Sequence, residues 1–111
     1  MLRLKANKTS LYRLVRNYDP AVGGFRNVEF HKIPRQPDYF LDWGGGGLRC
    51  HAFFATCMGK PLLSITKSDF DGNTVSRATH TLDLEDLRQR GMVEEFTTAA
   101  ERRRAEHGTG K

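Results

Sequence analysis

The stretch LLSITKSDFDGNTVSRATHTL, residues 62–82, decides the fold class that the sequence predicts. Two β-forming runs flank Asp71-Gly72, and Asp-Gly between such runs is a strong signal for a two-residue type I′ hairpin turn. Pairing around that turn places Thr66 opposite Arg77. The face expected to pack on the core carries Leu63, Ile65, Ala78 and His80. The face expected to meet water or a partner carries Ser64, Thr66, Ser68, Val75, Arg77 and Thr79.

Upstream of this hairpin, residues 43–47 read Trp-Gly-Gly-Gly-Gly. The apolar residues that follow recur at the spacing of one helix face: Cys50, Phe53, Phe54 and Cys57. We therefore predict a short buried helix over residues 48–58, which ends at the stop signals Gly59 and Pro61. A strand remains the alternative, because the stretch is only about eleven residues long and short apolar runs fit both structures.

The glycine run would then lead into a helix N-terminus, where free N–H groups and the helix dipole favour an anion. The candidate anion loop consists of Gly44, Gly45, Gly46, Gly47 and Arg49. Its spacing matches neither G-x-x-x-x-G-K-[ST] nor G-x-G-x-x-G. A tight corner between a strand and a helix accounts for the glycines without any ligand, and we favour that interpretation.

The remaining elements follow from local patterns. Residues 2–5 alternate apolar and basic, which favours a short strand. Residues 10–18 carry an amphipathic helix stripe that Thr9 or Ser10 could cap, with one arm of a hairpin as the alternative. Two further strand candidates cover residues 25–33 and 39–43, and Asp83 is a good N-cap for a C-terminal helix that Gly91 bends or splits.

This element order predicts an α+β fold in one domain. The order is βαββαβ followed by one more strand and a helix, which fits an antiparallel sheet of about four to five strands with helices packed on one face. The first six elements are compatible with a ferredoxin-like arrangement. The expected domain covers residues 1–106, and residues 107–111 are expected to fray.

Length and composition exclude several classes of protein. At 111 residues, with 38% hydrophobic and 28% charged residues, the chain fits one globular domain. The longest apolar run, Ala52–Ala55, is far shorter than a bilayer span, and no secretory signal follows the basic start. We therefore expect a cytoplasmic location and no membrane partner. Cys50 and Cys57 are too far apart on a helix or a strand to form a disulfide, and we predict no metal and no cofactor.

The charge distribution points to an acidic partner. The net charge is +5, and the first 36 residues alone carry eight cations against two acids. Such a region is typical of a protein that meets a polyanion or an acidic protein surface. The residues expected to make these contacts are Arg3, Lys5, Lys8, Arg13, Arg16 and Arg26, with Arg49 and Arg77 as secondary contacts. Aromatic residues interleave with them, as in modules that stack bases.

Three hypotheses follow, and the first is favoured. The chain is a non-enzymatic module that binds nucleic acid or a nucleoprotein. The alternative is a protein-interaction module, an inhibitor or adaptor, that docks on an acidic protein surface. The third is an enzyme or binder of a phosphorylated small molecule at Gly44–Gly47. No catalytic residue is assigned, because a Cys/His pair such as Cys50 and His51 would have to converge in space.

Overall fold

The computed structural model describes residues 2–34 and 38–95. Its strands are β1 (Leu2–Leu4), β2 (Glu29–Lys32), β3 (Tyr39–Gly45), β4 (Leu48–Cys57), β5 (Lys60–Ser68), β6 (Thr74–Thr81) and β7 (Val93–Glu95). Its helices are α1 (Lys8–Tyr18) and α2 (Leu84–Gln89), with a 3-10 turn at Phe25–Asn27. Strands β2 to β6 form an antiparallel meander in chain order, and β1 pairs with β7 in a separate two-stranded ribbon.

The predicted α+β class is wrong, because the described residues are mostly β, with only one helix of seven or more residues. The decisive difference lies at residues 48–58, where the predicted buried helix is instead β4, the central strand of the sheet. Its buried residues alternate as Cys50, Ala52 and Phe54, while Phe53 points to the other face and is 39% exposed. The period of two that is typical of a strand therefore prevails over the helical spacing of Cys50, Phe53, Phe54 and Cys57.

Two glycine-containing turns explain why β4 is a strand. Gly46 and Gly47 have φ values of 60° and 79°, and they join β3 to β4 with Gly45 paired to Leu48. Two consecutive residues at positive φ are the requirement of a type I′ hairpin turn. Met58 and Gly59, at φ 52° and 78°, make the same kind of turn between β4 and β5. The glycines that suggested a corner before a helix and a helix stop are thus two hairpin turns.

The hairpin of β5 and β6 confirms the predicted register. Thr66 lies opposite Arg77, and the pairing holds from Leu62 to Lys67. The turn itself is longer than predicted: Asp69 pairs with Asn73 through its backbone N–H, and only Gly72 has positive φ. A bulge beside Lys67 and Ser68 absorbs the extra residue, so the strands return to the expected register.

The Asp69 carboxylate stabilises this turn. It accepts the backbone N–H groups of Asp71 at 3.0 Å and Asn73 at 2.8 Å. These hydrogen bonds, that of Asn73 above all, lower the pKa of Asp69 below its usual value.

The core lies between α1 and one face of the large sheet. Leu11, Leu14 and Val15 of α1 are fully buried and belong to the same apolar cluster as the inward side chains of β3, β4 and β5. The predicted helix at residues 10–18 is therefore confirmed, although its cap is Asn7 and not Thr9 or Ser10. Asn7 Oδ1 accepts the Ser10 N–H at 2.8 Å, and Ser10 Oγ accepts the Asn7 N–H at 3.0 Å. This capping box fixes the start of α1.

Contacts at the C-terminal end of α1 hold it over β5 and β6. Lys67 Nζ of β5 lies 3.2 Å from Asp19 Oδ2, in an ion pair whose carboxylate is nearly buried. The Tyr18 ring and the His80 ring of β6 have centroids 4.4 Å apart. His80 therefore faces the core side of the sheet, as predicted from the hairpin.

The C-terminal part is described only to Glu95. Asp83 caps α2, as predicted, by accepting the Glu85 N–H at 3.0 Å, and α2 ends before Gly91 at φ 70°. The predicted helix beyond Glu95 and the tail 107–111 lie outside the described residues. Among the residues that are described, no helix is both long enough and apolar enough to cross a membrane.

Candidate functional site

The face of the sheet opposite α1 carries chemically varied side chains, and we call it the open face. Paired residues of antiparallel strands share a face, so the register arranges these side chains in rows across the strands. The first row is Gly44, Arg49 and Ser68. The second row is Glu29, Asp42, His51, Thr66 and Arg77. The third row is His31, Phe40, Phe53, Ser64 and Thr79.

The third row begins with three rings side by side. His31 and Phe40 stack with centroids 4.4 Å apart and planes 15° from parallel. Phe53 lies opposite Phe40 on the next strand and remains 39% exposed. Further along the row, Thr79 Oγ1 and Ser64 Oγ are 3.3 Å apart. The row therefore offers aromatic surface at one end and hydroxyl groups at the other.

The second row runs from acidic to basic across all five strands. Asp42 Oδ1 lies 3.2 Å from His51 Nδ1, and Glu29 lies opposite Asp42. Arg77 stands at the other end, on the outer strand β6, and is exposed. Within the described part of the chain, neither Arg77 nor Arg49 forms an ion pair. Both guanidinium groups are therefore available to a ligand.

A groove of about 560 Å³ lies beside the turn of Gly46 and Gly47. The residues that line it include Glu29, Asp42 and Arg49, together with Trp43, Gly47 and Phe70. The residues after the glycines form β4, so the glycine run leads into a strand and not into a helix N-terminus. The helix-dipole argument for an anion loop at Gly44–Gly47 is therefore wrong, although Arg49 does line the groove.

The cations predicted in the first third of the chain lie elsewhere. Arg13 and Arg16 are on the exposed side of α1, which covers the opposite face of the sheet from Arg49 and Arg77. Lys8 Nζ sits 4.7 Å from the centre of the Phe25 ring. Arg3 bonds Glu94 across the β1–β7 ribbon. The structure thus divides the predicted binding residues between two sides.

The remaining predicted contacts lie at the start of the chain and in the 3-10 turn. Lys5 and Arg26 are exposed, Lys5 just after β1 and Arg26 in the 3-10 turn. The Arg3 guanidinium, which bonds the Glu94 carboxylate, lowers the pKa of Glu94 below its usual value. Arg3 and Lys5 therefore lie near an acidic side chain of the β1–β7 ribbon.

Cys50 and His51 do not form a nucleophilic pair. They are consecutive on β4, so Cys50 faces the core while His51 faces outward. Burial raises the pKa of the Cys50 thiol, which disfavours the reactive thiolate. Both cysteines are free; Cys50 is buried, and Cys57 is exposed at the end of β4.

Sequence reasoning missed the residues that converge on the open face: His31, Phe40, Asp42 and Phe53. The signal that could have found them is the period of two in β3 and β4, where every second residue points away from the core. In residues 48–58 the helical spacing of the apolar residues obscures this period of two.

Comparisons with models of known protein families, with curated proteins and with solved structures find no match.

Proposed function

We propose that the protein is a non-enzymatic module that binds single-stranded nucleic acid on the open face of its sheet. The observation that carries the proposal is the exposed Phe53 ring beside the stacked pair of His31 and Phe40. An aromatic surface on an antiparallel sheet gives unpaired bases a stacking platform, and each stacked base contributes about 1–3 kcal/mol to binding.

Two arginines on the same face supply the phosphate contacts. Arg49 lies on the same strand as Phe53, and Arg77 lies two strands away on β6. Strands are about 4.8 Å apart in a sheet, so the two side chains start about 10 Å from each other across the strands. A strand of nucleic acid that crosses β4 to β6 would meet both guanidinium groups, with the hydroxyl groups of Thr66 and Ser68 on β5 between them.

The stacking role of Phe53 can be tested with a matched pair of exposed phenylalanines. Phe53 is 39% exposed on the open face, and Phe25 is 41% exposed in the 3-10 turn beside α1. We expect Phe53→Ala to weaken binding of a fluorescein-labelled single-stranded oligonucleotide about tenfold, by loss of one stacked base. Phe25→Ala should leave the dissociation constant nearly unchanged. Equal losses in the two variants, measured by fluorescence anisotropy, would refute a platform at Phe53.

A second candidate, a protein-interaction module, is favoured by the outer strand β6. Among the residues that the structure describes, this eight-residue strand pairs only with β5; it contains no proline, and Arg77 is its one arginine or lysine. Such an edge can accept a strand from a protein partner. The protein-interaction candidate is supported by the edge of β6 and does not depend on the aromatic row.

The edge candidate predicts a different outcome from the nucleic-acid proposal. A protein retained by the wild type from nuclease-treated lysate should be lost by Val75→Lys, since a lysine on an exposed edge opposes strand addition. Val75 is 58% exposed, so the substitution leaves the core intact. Equal retention of the partner by Val75→Lys would exclude docking along β6.

A further inference from the structure

Three side chains at the β2 edge of the open face converge as metal ligands do. Glu29, His31 and Asp42 each offer one ligand atom, and these atoms all lie within 4.8 Å of one another. His31 Nε2 and Glu29 Oε2 are 3.4 Å apart. Zinc bonds of about 2.0–2.2 Å at tetrahedral angles place neighbouring ligand atoms about 3.4 Å apart, so this pair already has the required separation.

The backbone explains why these residues meet. Glu29 and Asp42 are direct partners across β2 and β3, and His31 follows Glu29 by two residues and so shares its face. Glu29 is largely exposed, with 72% of its side-chain surface in water, and can move by the distance that a bound ion requires. The arrangement therefore needs no change in the strands.

Two neighbours orient the ligands. The Phe40 ring stacks on His31 and holds its imidazole plane. His51 Nδ1 lies 3.2 Å from Asp42 Oδ1, close enough to hold the carboxylate in place. Metal ligands in proteins are commonly held in this way by groups that do not themselves touch the ion.

We propose that Glu29, His31 and Asp42 bind one divalent transition-metal ion, with Zn²⁺ as the best fit, and that His51 positions Asp42. An imidazole nitrogen with two carboxylates suits Zn²⁺ better than Mg²⁺, which prefers oxygen ligands and octahedral geometry. Three protein ligands leave a fourth position for water or an anion. Glu29 and Asp42 also line the groove with Arg49, so a bound dication would cancel their negative charge there.

The test is titration of the protein alone with Zn²⁺ by isothermal calorimetry, without any nucleic acid, so its outcome is independent of the proposed function. We expect one site with micromolar affinity that millimolar Mg²⁺ does not displace. His31→Ala and Asp42→Asn should each weaken Zn²⁺ binding at least tenfold, by loss of a ligand. His51→Ala should weaken it about tenfold, as removal of an orienting partner does.

Matched controls separate this site from adventitious binding. His80→Ala removes a histidine from the opposite face, where it contacts Tyr18, and should leave the zinc affinity unchanged. Cys57→Ser removes an exposed thiol, a group that can bind zinc independently of the proposed site, and should also leave the zinc affinity unchanged. Circular dichroism checks that each variant is folded. The proposal is overturned if the wild type takes no Zn²⁺ below about 1 mM, if His31→Ala binds like the wild type, or if His80→Ala costs as much.

Discussion

Replacing Phe54 by alanine is expected to lower the free energy of unfolding by about 3–5 kcal/mol, which is a large part of the stability of a domain of this size. Phe54 lies on the central strand β4, is fully buried, and is the largest of the fully buried side chains. Its ring sits near that of Tyr39, at 6.3 Å between centroids. Urea denaturation followed by circular dichroism measures the change.

The neighbouring phenylalanine is the matched control. Phe53→Ala should cost about 1 kcal/mol or less, because Phe53 lies on the open face and is partly exposed. On the helix that the sequence suggested for residues 48–58, both rings would lie on one buried stripe and both substitutions would be costly. Similar losses of stability in the two variants would therefore contradict the assignment of β4.

Sequence predicted best where local chemistry and tertiary structure agree. The β5–β6 hairpin has turn residues and alternation that both indicate the same register, and the pairing of Thr66 with Arg77 is confirmed. The N-terminal helix has an apolar stripe and a stop at Asp19-Pro20, and it is also confirmed. In both cases one face is apolar, so only one arrangement buries it.

Sequence failed at β4 because its apolar residues satisfy two periods at once. Cys50, Phe53, Phe54 and Cys57 fit a helix, while Cys50, Ala52 and Phe54 fit a strand. The choice depends on the turns at each end, where two residues at positive φ reverse the chain. Four glycines in succession allow such a reversal but do not specify it, and Met58 at φ 52° is an uncommon residue for that conformation.

The candidate site could be anticipated only in part. Arg49 and Arg77 were among the predicted contacts, and the structure places both on the open face. The sequence leaves open whether the cations of the first third join them in one patch, and the structure separates Arg13 and Arg16 from them, because α1 covers the opposite side of the sheet. Which charges share a surface depends on how strands pair across many residues, and net charge along the sequence carries no such information.

Removing both open-face arginines is expected to have a larger effect on nucleic-acid binding than removing two cations from α1. The double variant Arg49→Ala/Arg77→Ala loses two phosphate contacts, while Arg13→Ala/Arg16→Ala loses the same charge from the other side of the molecule. Each phosphate contact to a single strand contributes about 0.7 to the slope of log affinity against log salt concentration. We therefore expect the slope to fall by about 1.4 in the first variant only.

The most direct test of binding on the open face is a fluorescence anisotropy titration of one single-stranded oligonucleotide with the wild type and these two double variants over a series of salt concentrations. The account predicts a salt-dependent affinity for the wild type, a loss of about tenfold with the reduced slope for Arg49→Ala/Arg77→Ala, and near wild-type binding for Arg13→Ala/Arg16→Ala. No binding at low salt, equal losses in the two variants, or a larger loss in the α1 variant would contradict it.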